Sequence, residues 1–395
     1  MEFLDIINKL GIEKYPEKAK EIFKQIDLTN TEFISKEFLT KINDEYKVFG
    51  EFEKEVIEYA ALIKDEPELL AWLNVGVEYL RYCDGDVAAC KAFPMPQKTK
   101  SEHTTDIFPL IVLLDQIPAT FNRYVKRGFS YDDSMRCVSA FSSCFKGNCT
   151  RFKRVLLTSM YYSWLCNYIG AMIFNLDGFN FEVRKFTNNV LYIKNKKTSE
   201  LVPLMLNEKI HKSGYILGAA GCEDEQGSFV AEFEETDDAF IGYTAENGLV
   251  VNKKNTYLKS EWEKFIVPGD DMISFHIPKN ADFSPEHLDR AFVLGANAAK
   301  NFYPDFNLKC IFCVSWLLSP KLKEILSPTS KITAFGDRYV RFPQKDEGKA
   351  VFTFVFPPNI EKYEDLPENT SLERGLKNLY LNGEYIYNTP GLFEI

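Results

Sequence analysis

The chain has 395 residues, of which 45% are hydrophobic and 26% charged, and its formal net charge is -10. This length exceeds one ordinary hydrophobic core and predicts two domains. The acidic balance excludes a general nucleic-acid binder, which needs a basic surface to release counterions from the phosphates.

The first residues and the cysteines predict a cytoplasmic protein. Residues 1–5 are acidic and lack the basic start and apolar run of a signal peptide. No apolar run is long enough to span a bilayer, and the best candidate, residues 160–174, is interrupted by polar residues and predicts a buried helix. The nine cysteines are an odd number and do not form paired Cys-x-x-Cys motifs. We therefore expect reduced thiols and no metal.

The first part of the chain, residues 1–177, has the pattern of a helical domain. Apolar residues recur at helical spacing, as in Phe3, Ile6, Ile7 and Leu10. Pro118 is expected to break or restart one helix, and the pair at 147–148 to separate the last two helices. We predict an all-helical N-terminal domain over residues 1–177.

From residue 178 the pattern changes to strands. Residues 179–186 alternate with period two, and Asn247-Gly248 favours a tight hairpin turn. Strands mixed with helices predict an α+β domain over residues 178–395. The other expected elements include a helix over 256–265, strands over 272–277, 308–316 and 351–356, and helices over 320–326 and 371–380.

Residues 268–318 form the most informative segment, because they predict a β-α-β unit. Between the two strands, Ser284 is a helix N-cap, Pro285 the first helical residue and Glu286 an acid in the first turn. The unit brings His276, Cys313 and Ser315 near the ends of two neighbouring strands. Ligands of open sheets bind at strand ends near a helix N-terminus, so we expect any active site here.

The three side chains allow several kinds of chemistry. His276 is a candidate general base, or a structural residue that bonds a backbone carbonyl. Cys313 is a candidate nucleophile paired with His276, or a buried and inert thiol. Ser315 is a candidate hydrogen-bond donor to an acyl carbonyl, or simply closes the strand. Strand alternation places Cys313 and Ser315 on one face of their strand, and the register decides whether that face also carries His276.

Several ordered segments resemble one known family. The chain is similar to bacterial acyltransferases that carry a helical N-acyltransferase domain before a GNAT-like C-terminal domain. The matching segments are Trp164-Leu165, Gly178-Phe179-Asn180-Phe181-Glu182, Trp262 with Pro268-Gly269-Asp270, Phe275-His276-Ile277-Pro278, Cys313-Val314-Ser315-Trp316-Leu317-Leu318, Ser330-Lys331-Ile332 with Phe335, and Leu366-Pro367 with Thr370-Ser371-Leu372.

The resemblance implies a GNAT-type mixed sheet flanked by helices, with acetyl-CoA or another acyl-CoA as co-substrate. In such a fold two adjacent strands splay apart, the pantetheine arm enters between them, and the diphosphate lies on amides at the following helix N-terminus. Mapped here, the cofactor-binding candidates are Ile277, Lys279, Asn280 and Ser284. The acceptor would be an amine of a small molecule or peptide, and the sequence gives neither that amine nor the oligomeric state.

The loop over residues 279–283 departs from the family pattern. GNAT enzymes usually place a glycine-rich motif before this helix, whereas the loop here is Lys279-Asn280-Ala281-Asp282-Phe283 and has no glycine. Asp282 would repel a diphosphate, and Lys279 would offset it. Two main functions therefore remain: an acyl-CoA-dependent N-acyltransferase, which we favour slightly, and a catalytically inactive GNAT-like fold that acts as a binding or interaction module. A third alternative is hydrolysis or acyl transfer through Cys313 with His276.

Overall fold

The computed structural model describes residues 2–278, 281–357, 360 and 362–395. The chain divides into two compact units, Met1–Asn175 and Leu176–Ile395, and the division falls within the strand β1, Ile173–Leu176. Lys279 and Asn280, two of the expected cofactor-binding residues, lie outside the described residues.

The first unit is built from helices. Its buried face is aromatic, with Trp72 stacked on Phe93 at 4.8 Å between ring centroids. The helices are α1 Phe3–Lys9, α2 Glu17–Phe23, α3 Lys36–Tyr46, α4 Glu53–Leu62, α5 Pro67–Cys83, α6 Val87–Lys91, α7 Glu102–Leu114, α8 Gln116–Lys126, α9 Tyr131–Phe152 and α10 Ser159–Ile169.

The second unit combines strands and helices. Its strands are β2 Phe179–Lys185, β3 Val190–Asn195, β4 Leu201–Met205, β5 Glu208–Ile210, β6 Phe229–Ala231, β7 Glu234–Glu235, β8 Ala239–Glu246, β9 Leu249–Leu258, β10 Trp262–Ile266, β11 Asp271–His276, β12 Cys310–Ser315, β13 Val340–Arg341 and β14 Thr389–Glu394. Its helices are α11 Pro285–Phe302, α12 Leu322–Ile325, α13 Lys331–Gly336, α14 Ala350–Phe354 and α15 Ser371–Leu381. Helices followed by a mixed sheet confirm the predicted α+β class.

The main sheet of this unit is mixed. Five of its strands follow the order β2-β11-β12-β14-β13, in which β11 and β12 are parallel and the other neighbours antiparallel. A second sheet has the order β10-β3-β4-β8-β7, and β9 pairs with β8. The two sheets share a core in which Tyr192 and Met205 meet Phe312 and Leu392. The second sheet therefore covers the face of the main sheet that carries Phe312 and Leu392.

Helix α11 covers the opposite face of the main sheet. Ser284 is its N-cap residue and Pro285 its first residue, as predicted. Phe292 contacts Phe275 at 4.9 Å between centroids, and Gly295 packs against Phe181 so closely that a Cβ would lie 2.2 Å from its ring. A glycine is thus required where helix and sheet approach most closely.

Several local predictions are wrong. Residues 256–265 form parts of β9 and β10 around a turn rather than a helix, because pairing with β8 and β3 overrides local preference. Residues 350–354 are a helix, not a strand, and a short apolar run does not distinguish the two. Helix α9 runs through Gly147 and Asn148 without a break.

Candidate active site at the splayed strands

Strands β11 and β12 separate towards their carboxyl ends. Among the described residues, their ladder pairs Ile273 with Ile311 and Ser274 with Phe312, and stops there. By contrast, β11 pairs with β2 along its whole length, and β12 pairs with β14 through Ser315. A gap, here called the splay, therefore opens between residues 275–276 of β11 and residues 313–315 of β12. An inserted chain that carries amides can form hydrogen bonds with strand backbone groups at such a gap.

The register separates the three predicted catalytic side chains. Ser274 lies opposite Phe312, so Ser274 and His276 share a face with Phe312 and Val314. Cys313 and Ser315 point to the other face, towards α11. The parallel ladder therefore settles the question that the sequence left open, because its register does not bring His276 to the face of Cys313 and Ser315.

His276 instead meets a carboxylate from the neighbouring strand. Its Nε2 lies 2.8 Å from Oε2 of Glu182, and the exposed fraction of the Glu182 side chain is only 11%. Glu182 lies opposite Ser274 on β2, which places its carboxylate diagonal to His276 on the same face. An ionised carboxylate can only accept a hydrogen bond, so Nε2 of His276 is the donor in this contact. The pair has the geometry of a general base and its orienting group.

Glu182 was not among the predicted site residues. Its segment was recognised as a strand with alternating character, so the polar face was visible in the sequence. The pairing of this segment with β11 was not visible, because β2 and β11 are about ninety residues apart in the chain. A signal did exist: an acid flanked by Phe181 and Val183 in a strand must be paired when buried.

Cys313 is unsuited to nucleophilic attack. It is 1% exposed, and burial raises the pKa of its thiol above the ordinary value. The thiolate is the reactive form, and it is suppressed here. Ser315 has a local partner, since its Oγ accepts a hydrogen bond from the backbone N–H of Leu317 at 3.1 Å and caps the 3-10 turn Trp316–Leu318.

The start of α11 carries an acidic residue. Ser284 makes no side-chain cap; its hydroxyl donates to Oδ2 of Asp282 at 2.8 Å, and its N–H donates to Oδ1 at 2.9 Å. These hydrogen bonds, and Lys331 nearby, lower the pKa of Asp282. The first backbone N–H groups of the helix have no partner in the helix itself. Half-buried Ile277 joins β11 to this loop.

A second cluster joins the first turns of α11 to the turn between β1 and β2. Arg290 donates two hydrogen bonds to the carboxylate of Asp177, at 2.9 and 3.1 Å, and His287 Nε2 lies 3.0 Å from the Asp177 carbonyl oxygen. Arg290 is the main reason that the pKa of Asp177 is lowered. This cluster anchors the first turns of α11.

Within the described residues there is no group of three or more histidine, cysteine, aspartate or glutamate side chains that could hold a metal ion. The described helices also include none with the length and apolar character needed to cross a membrane.

The model of the family described as "GNAT-like C-terminal domain" matches residues 171–393, more than half of the chain. No curated protein sequence matches the chain.

Solved structures share the fold over the full length. An acyltransferase in complex with CoA and 10C-teicoplanin is similar with a TM-score of 0.67 and 14% identity, covering 100% of this chain and 99% of that one. An acyltransferase mutant in complex with octanoyl-CoA gives a TM-score of 0.65 at 13% identity, covering all of both chains. An acyltransferase with decanoyl-CoA gives 0.62 at 13% identity, again over all of both chains. At these identities the likeness establishes the fold.

Proposed function

This chain belongs to the family with a GNAT-like C-terminal domain, and on that premise we propose that it transfers an acyl group from acyl-CoA to an amine. The observation that carries the proposal is the splay, with the Glu182–His276 pair at the end of one of its strands. Similar folds have been solved with CoA, octanoyl-CoA and decanoyl-CoA, which supports the same class of donor here.

In this proposal the pantetheine arm lies in the splay and the thioester reaches the end of β11. The amine nitrogen attacks the thioester carbonyl carbon, and His276 accepts the proton that the nitrogen loses. The carbon–sulfur bond then breaks, and the leaving CoA thiolate takes a proton to give the thiol. Glu182 orients the imidazole and stabilises its positive charge. Holding both substrates in one geometry contributes much of the rate.

Transfer is direct rather than through an acyl-enzyme. Cys313 is buried on the other face of the sheet from His276, and burial raises its pKa. Ser315 is engaged by Leu317. Neither side chain meets the imidazole that would have to activate it, and a nucleophile needs its base within hydrogen-bond distance.

The acceptor is proposed to be an amine on a small molecule or a peptide. Two of the similar structures contain 10C-teicoplanin or teicoplanin, which supports a bulky acceptor. The amine must be neutral to attack, and a general base assists by removing its proton during the reaction.

Ligand-dependent stability tests the donor. Thermal unfolding is measured with acetyl-, octanoyl- and decanoyl-CoA, with CoA, and with the matching acyl-pantetheines as controls that lack the nucleotide. A ligand at a hundred times its Kd stabilises the folded state by about 2.7 kcal/mol. No stabilisation by any acyl-CoA would refute the proposal. Mass spectrometry of an amine panel incubated with enzyme and acyl-CoA then detects transfer.

A non-catalytic binding module is the second candidate, and one specific observation favours it. The loop before α11 has no glycine, and the carboxylate of Asp282 lies at the helix start. An Asp282→Asn variant distinguishes the two: it strengthens acyl-CoA binding if the diphosphate lies there, and leaves binding unchanged if the site is unused.

A further inference from the structure

The end of strand β12 is held by side chains outside the splay. Beyond Phe312, the strand remains paired with β14 through Ser315 and has left β11. The next residue, Trp316, is buried in a separate cluster with Leu322, Val351 and Leu376. Contacts with β14 and with the residues that follow β12 therefore determine where the end of β12 lies. The same contacts determine how far it stands from β11.

One of these residues is a buried arginine. Arg341 lies on β13, is 5% exposed, and donates from Nη1 to the carbonyl oxygen of Leu318 at 3.1 Å. Leu318 is the last residue of the 3-10 turn that follows β12. Nη2 lies 3.4 Å from Oδ1 of Asp337, which also pairs with Lys323 at 2.7 Å. The guanidinium thus links β13, the edge strand of the sheet, to the 3-10 turn that follows β12.

The sheet makes room for this side chain. Arg341 lies opposite Gly391 on β14, and Gly391 lies opposite Cys313 on β12. A Cβ at Gly391 would lie 2.9 Å from Cβ of Tyr339 and 3.0 Å from Cγ of Arg341. A larger residue at position 391 would crowd both of these side chains. The glycine therefore leaves room for the aliphatic part of the Arg341 side chain.

Stability alone is a poor explanation for this arginine. Its Nε has no partner among the described residues, and burial lowers its pKa from the ordinary value. A buried ion pair is weak evidence for stability, because apolar residues that fill the same volume often replace it without loss. Positions that break a local rule, such as a buried charge with an unpaired donor, are expected at functional or strained sites.

We propose that Arg341 is a positioning residue: by holding the Leu318 carbonyl, it keeps the end of β12 away from β11 and maintains the splay that receives acyl-CoA. The inference rests on the proposed function. Two parallel strands that run side by side gain hydrogen bonds when they pair, so an unrestrained β12 would close towards β11. The arginine opposes this closure and presents a preformed site, which reduces the ordering cost of binding.

The test is acyl-CoA affinity in two variants, measured by calorimetry at a temperature where each is folded. Arg341→Met removes the donor to Leu318 and is expected to raise the Kd about tenfold, the size of effect produced by one charged hydrogen bond. Arg341→Lys keeps a charged donor and is expected to recover most of the affinity. At saturating acyl-CoA the kcat stays near the wild-type value, so the effect appears in KM.

A matched control is available in the other unit. Arg123 also donates to one backbone carbonyl, that of Ile169 at 3.2 Å, and to one carboxylate, that of Asp84 at 2.9 Å. Arg123→Met removes the same kinds of bond, and its acyl-CoA affinity should equal that of the wild type. An Asp337→Asn variant should also bind normally, since it leaves the bond to Leu318 intact.

Hydrogen exchange gives a readout that a loss of stability would not produce. In Arg341→Met, amides in peptides covering residues 273–277 and 311–315 should become more protected, because the strands pair. Unchanged affinity in Arg341→Met, or faster exchange in those peptides, would overturn the inference. If the wild type itself binds no acyl-CoA, the proposed function fails instead, and the two failures are distinguishable.

Discussion

His276 and Glu182 carry the first prediction, which concerns single side chains. His276→Ala should lower kcat about a hundredfold or more, because a positioned general base contributes at least that much. Glu182→Gln should lower kcat by less, since the amide still contacts the ring but no longer stabilises its positive charge. The KM for acyl-CoA should change little in both. Steady-state kinetics of acyl transfer measure these values.

The control for this pair is another histidine. His103 is exposed and stacks on Tyr59 in the helical unit, so His103→Ala should keep the wild-type kcat. If His276→Ala also keeps full activity, the ring has only a structural role. In that case the amine loses its proton to solvent.

Cys313→Ser carries the second prediction. Because the thiol is buried on the α11 face and burial raises its pKa, its removal should leave kcat within about twofold. Stability should fall modestly, since a hydroxyl replaces a buried apolar sulfur. Activity and thermal unfolding are compared in one preparation. A loss of activity larger than the loss of folded protein would restore the covalent mechanism.

The sequence predicted the two strands on which the candidate site lies, but not which side chains meet there. His276 and the two strands around it were predicted from the β-α-β pattern and the family resemblance. The partner of His276 was missed because Glu182 reaches it only through pairing of β2 with β11, and the juxtaposition with Cys313 depended on a register that spacing does not set.

Close packing of α11 on the sheet gives the third prediction, at the level of helices and strands. In Gly295→Ala the new methyl group would collide with the Phe181 ring. Overpacking costs about 1–3 kcal/mol, which exceeds the gain of about 1 kcal/mol in helix propensity. The variant should therefore be less stable in denaturant unfolding.

Gly147 in α9 is the matched control for the same substitution. Apart from its chain neighbours and the backbone of its own helix, no described atom lies within 4 Å of a Cβ placed there. Gly147→Ala should therefore stabilise the protein by roughly 0.5–1 kcal/mol through propensity alone. If Gly295→Ala and Gly147→Ala changed the free energy of unfolding in the same direction, the packing argument would be wrong.

The turn before β2 gives the fourth prediction, which concerns pH. Arg290 lowers the pKa of Asp177, so the carboxylate contributes stability above the ordinary carboxyl pKa and loses it as the pH falls through the lowered value. Asp177→Asn should be slightly less stable than the wild type at pH 7, and the difference should narrow in acid. Asparagine tolerates the positive φ of 51° at this position, so the backbone is not strained. Unfolding midpoints from pH 7 to pH 3 give the comparison.

Helices and strands were predicted well where local sequence determines the backbone conformation. They were predicted poorly where pairing with a distant strand determines it. The Asn247-Gly248 hairpin was foreseen because both residues adopt positive φ in such a turn. Strand β14 was missed, although it is the neighbour of β12 along its whole length. Its sequence, Thr389-Pro390-Gly391-Leu392-Phe393-Glu394, contains two residues that are normally unfavourable in strands, and only the three-dimensional pairing explains them.

The fifth prediction concerns the molecule as a whole and uses its thiols. Most cysteines are buried, and the pKa values of several buried ones are raised by burial: to about 11 for Cys149 and about 12 for Cys137, Cys166 and Cys310. Alkylation of these thiols should therefore require opening of the unit that contains them. Each unit has its own buried residues, so we expect each to open separately.

Acyl-CoA should separate the two units in this experiment. Bound at the splay, it stabilises only the second unit, and at a hundred times its Kd it should slow alkylation of Cys310 and Cys313 about a hundredfold. Alkylation of Cys137 and Cys166 in the helical unit should keep its rate. Mass spectrometry of peptides after timed alkylation measures all four rates in one sample. Equal slowing of all four would mean that the units open together, and that binding at the sheet is transmitted to the helices.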